Sequence, residues 1–190
     1  MTGMSDERDL LLSRRSVGRV KSDPIPRDTI AELLVAATHA PNHHLTTPWR
    51  FIVLTGAARR TVGEAHAAAV VRQRPDAGPD VAARESARLE RAPVVIACIV
   101  RTNGNDPVTA REDRDAVAAA IQNLLLAAHA RGLGAMWRTG TMVDEPEVTT
   151  ALNLVPGDAI VGFVYLGIAA VVPPDRGRPP LDDVVEWRDR

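Results

Sequence analysis

The sequence lacks most of what covalent or metal-based chemistry needs. Its 190 residues contain one cysteine, Cys98, which excludes an internal disulfide and every site built from several cysteines. Cys98 lies in an apolar run with no base near it in the sequence, which favours buried packing over a nucleophilic role. The chain has no Gly-x-Gly-x-x-Gly fingerprint, no Gly-Lys-Ser/Thr loop and no Gly-x-Ser-x-Gly elbow. These absences argue against a dinucleotide-binding βαβ unit, a phosphate loop and a serine hydrolase.

Long apolar runs and an excess of either charge are also missing. No stretch reaches the roughly 20 apolar residues of a membrane-spanning helix, and the first residues are acidic where a signal peptide is basic and then apolar. The 23 basic and 24 acidic residues are well mixed, which indicates no nucleic-acid partner and no membrane-surface partner. With 45% hydrophobic residues, we expect one globular, cytoplasmic domain over residues 1–190.

Hydrophobic periodicity predicts a mixture of helices and strands. Apolar residues at one-face helical spacing predict a helix from Pro26 to about Thr38. Acidic and capping residues at 5–7 predict an earlier helix that closes near residue 16. Further predicted helices cover 57–74, 80–91, 111–130 and 145–152. Apolar, β-branched runs predict strands at 50–55, 94–100, 135–137 and 160–168.

A polar loop between a predicted helix and a predicted strand is the first candidate binding element. It occupies residues 40–51, Ala-Pro-Asn-His-His-Leu-Thr-Thr-Pro-Trp-Arg-Phe. Polar side chains held between two rigid elements are typical of a small-molecule site, although an ordinary helix-to-strand connection has the same pattern. His43 and His44 are adjacent and have no acidic residue nearby at ligand spacing, so we expect no metal site.

Two other segments carry groups that suit a polar ligand. Arg14-Arg15-Ser16 offers forked guanidinium donors and a hydroxyl to a phosphate, although a basic last helical turn explains the same residues. After the helix end at Gly132, the segment 137–140 brings together a Trp, an Arg, a Thr and backbone amides. These groups suit a planar polar ligand, and a purely structural Trp137 is the alternative. Because no nucleophile or acid–base pair is evident, a bound cofactor would explain how such a site works.

Four motifs together resemble the flavin-dependent nitroreductase family. They are, in order, Arg14-Arg15-Ser16, Ala40-Pro41-Asn42-His43 leading to Pro48-Trp49-Arg50-Phe51, the stretch Gly132 to Gly140, and the stretch Val161 to Gly167. Their order and spacing are similar to the family over nearly the whole chain, and closest to its compact bacterial nitroreductase-like subgroup. The resemblance implies an α+β fold with a central, mainly antiparallel sheet flanked by helices. It also implies an intertwined homodimer with two FMN molecules at the subunit interface.

The resemblance assigns roles to particular residues and none to a catalytic amino acid. The residues that it implies in FMN binding are Arg14, Arg15, Ser16, His43, Thr47, Trp137, Arg138 and Thr139. The first three would hold the phosphate end, the next two the ribityl chain or pyrimidine edge, and the last three the ring. The residues that it implies near NADH or NADPH are Ala127, Ala128, His129, Ala130, Arg131 and Gly132. The tail 173–190, with Arg176 and Arg178, would reach across to the partner subunit.

The implied function is an FMN-dependent NAD(P)H oxidoreductase. A hydride would pass from NADH or NADPH to flavin N5, and a nitroaromatic, a quinone or a similar electron-poor small molecule would then take two electrons. One alternative is a non-catalytic flavin-binding or storage protein, which Thr47 would allow because it is shorter than the Gln or Asn of many relatives. Another is dehalogenation, flavin fragmentation or azoline oxidation on the same scaffold. Such reactions usually need an inserted lid or substrate-binding element, and residues 56–91 are the only segment that could provide one.

Overall fold

A four-stranded antiparallel sheet forms the centre of the chain in the computed structural model, which describes residues 9–76, 78–102 and 106–189. The strands run in the order β1-β2-β4-β3, and every neighbouring pair is antiparallel. Their bounds are β1 Trp49–Leu54, β2 Val94–Arg101, β3 Leu133–Arg138 and β4 Asp158–Ile168. The predicted strands and their mainly antiparallel arrangement are therefore confirmed, with ends that differ by at most two residues.

Helices surround this sheet, and their bounds are close to those that the hydrophobic periodicity predicts. Their bounds are α1 at 9–13, α2 Arg27–Thr38, α3 Ala57–Gln73, α4 Pro79–Ser86, α5 Pro107–Ala130 and α6 Pro146–Ala151. The predicted start of α1 at Ser5-Asp6-Glu7 lies outside the described residues. Helix α5 begins four residues earlier than predicted because the Asp106 carboxylate accepts the Thr109 N–H at 2.9 Å and Pro107 occupies the first turn.

The sheet is buried on both faces, which explains the continuous apolar run in β2. Alternate β2 residues, such as Ile96 and Cys98, face a core shared with α2 and α5. The intervening residues, such as Ala97 and Ile99, face a second core shared with α3 and α6. Phe163 from β4 belongs to this second core and is among the largest fully buried side chains.

Cys98 has no exposed surface, and burial raises the pKa of its thiol far above the ordinary value. We expect Cys98→Ala to keep full turnover and to lose only about 1 kcal/mol of stability, because it removes one small apolar group from the core. The native protein should resist a thiol reagent at pH 8, whereas the urea-unfolded chain should react with one equivalent. Rapid labelling of the native chain, or a folded Cys98→Ala variant without turnover, would show that the packing interpretation is wrong.

The two edges of the sheet differ in how they are covered. The segment 17–21 lies along the β3 side, where the Val17 N–H donates to the Ala135 carbonyl at 2.9 Å. At the other edge, no strand among the described residues pairs with the outer side of β1, and Val53 is 37% exposed there. Beyond β4 the tail carries exposed apolar side chains at Leu181, Val184 and Trp187. No helix within the described ranges is long and apolar enough to cross a bilayer.

Candidate functional site

A cationic pocket of about 320 Å³ forms where the N-terminal segment meets the tail. Hydrogen bonding fixes the meeting point, because the Ala170 N–H donates to the Arg19 carbonyl at 3.0 Å. The lining residues are Arg14, Arg15, Ser16, Met136, Pro173, Pro174, Arg176 and Arg178. Arg176 and Arg178 therefore lie beside the same chain's Arg14-Arg15-Ser16, and the packing of the tail on a partner subunit stays a prediction.

One of these guanidinium groups is already paired with an acid. Arg15 forms an ion pair with Asp175 of the tail and also donates to the Leu12 carbonyl at 2.5 Å. Asp175 in turn accepts the Gly177 N–H at 3.0 Å, which shapes the tail around the pocket. The other three arginines of the pocket have no ion-pair partner in the part of the chain that the structure describes. The pocket consequently has a net positive charge and offers donors to an anion.

A second pocket, of about 280 Å³, adjoins the first, and Met136 lines both. Its walls come from β3, from the loop after β3, from β4, and from two side chains of the helical segments 57–91. The lining residues are His66, Arg88, Met136, Trp137, Arg138, Thr139, Gly140, Thr141, Met142, Phe163 and Tyr165. None of these lining residues is acidic, and Arg88 pairs with Glu85, which lies outside the lining, at 2.7 Å.

Two residues that line the second pocket have buried donors without partners. Arg138 Nε and Trp137 Nε1 are both buried, and neither has a hydrogen-bond partner among the described residues. The Arg138 guanidinium lies 5.2 Å from the centre of the Tyr165 ring. Burial raises the pKa of Tyr165, while Arg138 and Arg88 oppose the rise by favouring the phenolate. Unpaired buried donors are costly, so a ligand with acceptor atoms would stabilise this wall.

The loop before β1 is held in a strained conformation. His44, Leu45 and Thr47 have positive φ angles of 60°, 53° and 46°, which non-glycine residues rarely adopt. Asn42 holds the loop, because its Oδ1 accepts the Thr47 N–H at 2.6 Å and its Nδ2 donates to Thr46 Oγ1 at 2.9 Å. The Thr46 hydroxyl donates to the buried Asp113 of α5. Backbone strain supported by such contacts is typical of a functional loop.

Folding also brings an acid to the two histidines of this loop. His43 Nδ1 lies 3.0 Å from Glu112 Oε2, and His44 Nε2 lies 3.9 Å from the same oxygen. The sequence predicts no metal site because no acidic residue is close to His43 and His44 along the chain. Glu112 belongs to α5, which is distant in sequence. The histidine side chains are 66% and 56% exposed, and exposed acidic groupings of this kind are common without a bound ion.

The predicted site residues fall into two groups on opposite sides of one chain. Arg14-Arg15-Ser16 and Trp137 to Thr139 lie at the β3 edge, whereas the loop with His43 and Thr47 leads into β1 at the other edge. Three strand spacings separate these edges, which amounts to about 14 Å. Ser13 contacts His129 near one end of α5, and His43 contacts Glu112 about 25 Å away along the helix axis.

The segment expected near the nicotinamide nucleotide is largely engaged in structural contacts. Ala128 has no exposed surface, and Arg131 pairs with Glu32 at 2.7 Å. His129 Nε2 lies 2.8 Å from Ser13 Oγ, which ties the end of α5 to the segment before Arg14. Gly132 has a φ of 70° and ends the helix as predicted, and Ala130 is exposed.

Sequence patterns gave no sign of Arg88, Asp175 or Glu112. Arg88 belongs to a charge-dense helical segment, and only the folded chain shows that it lines the second pocket. Asp175 and Glu112 each act on a residue more than 60 positions away in the sequence. No local spacing rule signals such pairs.

Comparisons with known proteins agree with one another. The Nitroreductase family profile matches residues 11–168. YfhC of Bacillus subtilis, named as a candidate NAD(P)H nitroreductase, is 30% identical over 178 residues, or 93% of this chain and 91% of its own. The 5,6-dimethylbenzimidazole synthase of Rhodospirillum rubrum is 36% identical over 166 residues, or 81% of this chain and 77% of its own.

Solved structures confirm the predicted architecture. A nitroreductase-like family protein from Bacillus cereus superimposes over 100% of both chains with a TM-score of 0.89 and 26% identity. A candidate nitroreductase from Desulfovibrio desulfuricans, solved in complex with FMN, matches over 95% of both chains with a TM-score of 0.74 and 25% identity. These superpositions bear out the α+β fold that the sequence motifs implied.

Proposed function

Because the chain belongs to the nitroreductase family, we propose that it is an FMN-dependent NAD(P)H oxidoreductase that reduces nitroaromatics, quinones or similar electron-poor acceptors. One observation carries the proposal: a cationic pocket meets, at Met136, a second pocket lined by Arg138, whose buried Nε has no partner among the described residues. A ligand with a phosphate at one end and a planar, acceptor-rich ring at the other matches this pair of pockets. FMN has that composition.

The cationic pocket fits the phosphate end of FMN. A phosphate monoester carries close to two negative charges at neutral pH and three strong acceptor oxygens. Arg14, Arg15, Arg176 and Arg178 supply guanidinium donors, and Ser16 supplies a hydroxyl. Forked guanidinium donors match phosphate oxygens in geometry as well as in charge. We therefore assign these five residues to the phosphate.

The second pocket fits the ring. Trp137, Arg138 and Thr139 supply one wall, and Arg88 supplies a second positive charge. When bound there, FMN supplies two-electron transfer from NAD(P)H to the acceptor. Arg88 and Arg138 stabilise the negative charge that reduction places in this pocket, as preorganised positive groups do where charge develops. No side chain is required to act as a nucleophile or as a general base.

A complete site requires two copies of the chain. His43 and Thr47 lie on the opposite side of the chain from Arg14-Arg15-Ser16, so we assign them to the FMN held mainly by a second copy. The exposed apolar residues of the tail 173–190 and the open edge of β1 offer surfaces for such packing. Sedimentation equilibrium should give twice the 20.4 kDa chain mass, and a monomer that binds FMN fully would contradict the divided site.

We assign the end of α5, with His129, Ala130 and Arg131, to the approach of the nicotinamide nucleotide. His129 contacts Ser13, which directly precedes the phosphate residues, so this helix end adjoins the phosphate pocket.

Asp175 competes with the phosphate for Arg15. The Asp175 carboxylate already pairs with the Arg15 guanidinium. A bound phosphate must therefore either displace this carboxylate or lie beside a second negative charge. We expect Asp175→Asn to tighten FMN binding by about threefold to tenfold, as removal of a partly exposed competing charge should. Titration of FMN into the apoprotein, followed by flavin fluorescence, measures the effect. Weaker binding in Asp175→Asn would mean that the carboxylate serves to orient Arg15 for the phosphate.

Steady-state turnover tests the proposed activity. The FMN-saturated protein should oxidise NADH or NADPH much faster with menadione or 4-nitrobenzoate than without an acceptor. Free FMN at the same concentration is the control for the uncatalysed reaction. Tightly bound FMN with no acceptor-dependent oxidation would instead identify a flavin-storage protein.

Flavin fragmentation is the second candidate, supported by the 36% identity to 5,6-dimethylbenzimidazole synthase. The segment in which a lid could be inserted, 56–91, is largely occupied by α3 and α4, and its residues Val62 and Leu89 are buried in the second core. The packing of this segment favours the reductase. Aerobic incubation with FMN and NADPH, followed by mass spectrometry, decides between the two, because only fragmentation yields 5,6-dimethylbenzimidazole.

A further inference from the structure

A buried histidine that lines the second pocket lies between two carboxylates. His66 of α3 is 2% exposed, with Nδ1 2.7 Å from Glu145 Oε2 and Nε2 3.3 Å from Glu85 Oε2. Glu145 is also 2% exposed. A neutral imidazole has one N–H and one lone pair, so it cannot donate to both carboxylates, whereas an imidazolium can. With both carboxylates ionised, hydrogen bonds from both ring nitrogens require the imidazolium form of His66.

The same contacts continue to the pocket wall. Arg88 NH1 donates to Glu85 Oε2 at 2.7 Å, which is the oxygen that His66 faces. The other Glu85 oxygen accepts from the exposed Arg84 at 3.2 Å. Although burial opposes it, hydrogen bonds from Arg88, Arg84 and His66 lower the pKa of Glu85, which keeps this carboxylate ionised. A chain of contacts, Glu145–His66–Glu85–Arg88, therefore joins the core to the pocket.

The charge on His66 determines how much of the Arg88 positive charge Glu85 cancels. Alone, the Glu85 carboxylate would cancel much of the Arg88 charge and would leave one side of its own oxygen without a partner. An imidazolium at His66 offsets Glu85 and restrains the carboxylate, so that Arg88 presents its positive charge in a fixed position. Neither His66 nor Glu85 is required for the phosphate contacts, which lie in the other pocket.

We propose that His66 is a positioning residue that acts through Glu85 on Arg88 and so raises the preference of the site for reduced over oxidised FMN. The inference rests on the proposed function, because it concerns the ring of a bound flavin. It goes further by identifying a buried group that tunes the reduction potential. Loss of the positive charge should disfavour the reduced, more negatively charged cofactor.

The expected result for His66→Gln is an approximately tenfold lower preference for reduced FMN, equivalent to a midpoint potential about 30 mV more negative. Equilibration of the FMN-loaded protein with reference dyes measures this potential. Arg84→Gln is the matched control, since it removes an exposed partner of the same carboxylate that does not line the pocket. An unchanged potential in folded His66→Gln would overturn the inference.

A double-mutant cycle separates a positioning role from a general structural one. If His66 acts through Arg88, adding His66→Gln to Arg88→Gln should change the potential no further. A His66→Gln effect that persists in full in the Arg88→Gln background would overturn the proposed route and indicate direct action of His66 on the ring.

Nitrogen-15 NMR of the histidine side chains can be recorded on the native chain. It therefore depends neither on FMN binding nor on whether a variant folds. At pH 7 the His66 ring should show both nitrogens protonated. A neutral His66 would overturn the inference and leave the proposed function intact, whereas failure to take up FMN would overturn the proposed function itself.

Discussion

Arg14→Ala should weaken FMN binding by about tenfold to 100-fold, because it removes a charge-assisted contact to the phosphate worth about 1.5–3 kcal/mol. Arg14 is the most direct test of the phosphate pocket. Unlike Arg15, it has no ion-pair partner among the described residues, so its removal leaves no carboxylate unpaired. Ser16→Ala should cost less, about threefold to tenfold, because a neutral hydroxyl makes a weaker contact than a guanidinium.

Fluorescence titration of the apoprotein with FMN measures both effects. Arg74→Ala is a suitable control, because Arg74 is an exposed arginine at the end of α3 that lines neither pocket. Its affinity for FMN should match that of the native chain. Native affinity in both Arg14→Ala and Ser16→Ala would show that the phosphate lies elsewhere.

Gly162→Ala should lower the free energy of unfolding by about 1–3 kcal/mol, as overpacking of a well-filled core does. A Cβ at Gly162 would lie 2.1 Å from Trp137 Nε1 and 2.9 Å from the Arg138 carbonyl oxygen, so the indole must move. Because Trp137 lines the second pocket, FMN binding should weaken as well. Both effects are steric, because only a residue without a side chain leaves room for the Trp137 indole at this position.

Urea unfolding and FMN titration test the Gly162 prediction together. Gly78→Ala is the matched control, because Gly78 has a φ of −66° and a Cβ there meets nothing within 4 Å. That variant should stay within about 1 kcal/mol of the native chain, because alanine restricts the unfolded chain but is a poorer N-cap for α4 than glycine. If Gly162→Ala unfolds at the native urea concentration, the close approach of Trp137 is not part of the folded protein.

The architecture could be predicted because its determinants are local. The spacing of apolar residues in α2 and the β-branched run in β2 each identify an element without knowledge of its neighbours. The start of α5 was placed too late because the predicted start was taken from apolar spacing, whereas a proline and a capping aspartate begin the helix at Pro107.

The candidate site could be predicted only in part, because its residues meet through distant contacts. The residue types in Arg14-Arg15-Ser16 and Trp137 to Thr139 indicate binding chemistry by themselves, and folding places them in adjoining pockets. No sequence pattern indicates a binding role for Arg88 or His66. Arg88 lies in a charged helical segment that is typical of a protein surface, and His66 lies in the alanine-rich α3, which is typical of core packing. Their FMN contacts and those of His43 and Thr47 remain predictions.

Anaerobic absorbance spectroscopy of the purified protein reconstituted with FMN tests the central claim most directly. Flavin bands should persist through gel filtration, which shows retention, and should bleach on addition of NADH or NADPH and return on addition of an electron-poor acceptor. Flavin bands that neither reductant bleaches, or a protein that cannot be loaded with FMN, would contradict the account of this chain as an FMN-dependent NAD(P)H oxidoreductase.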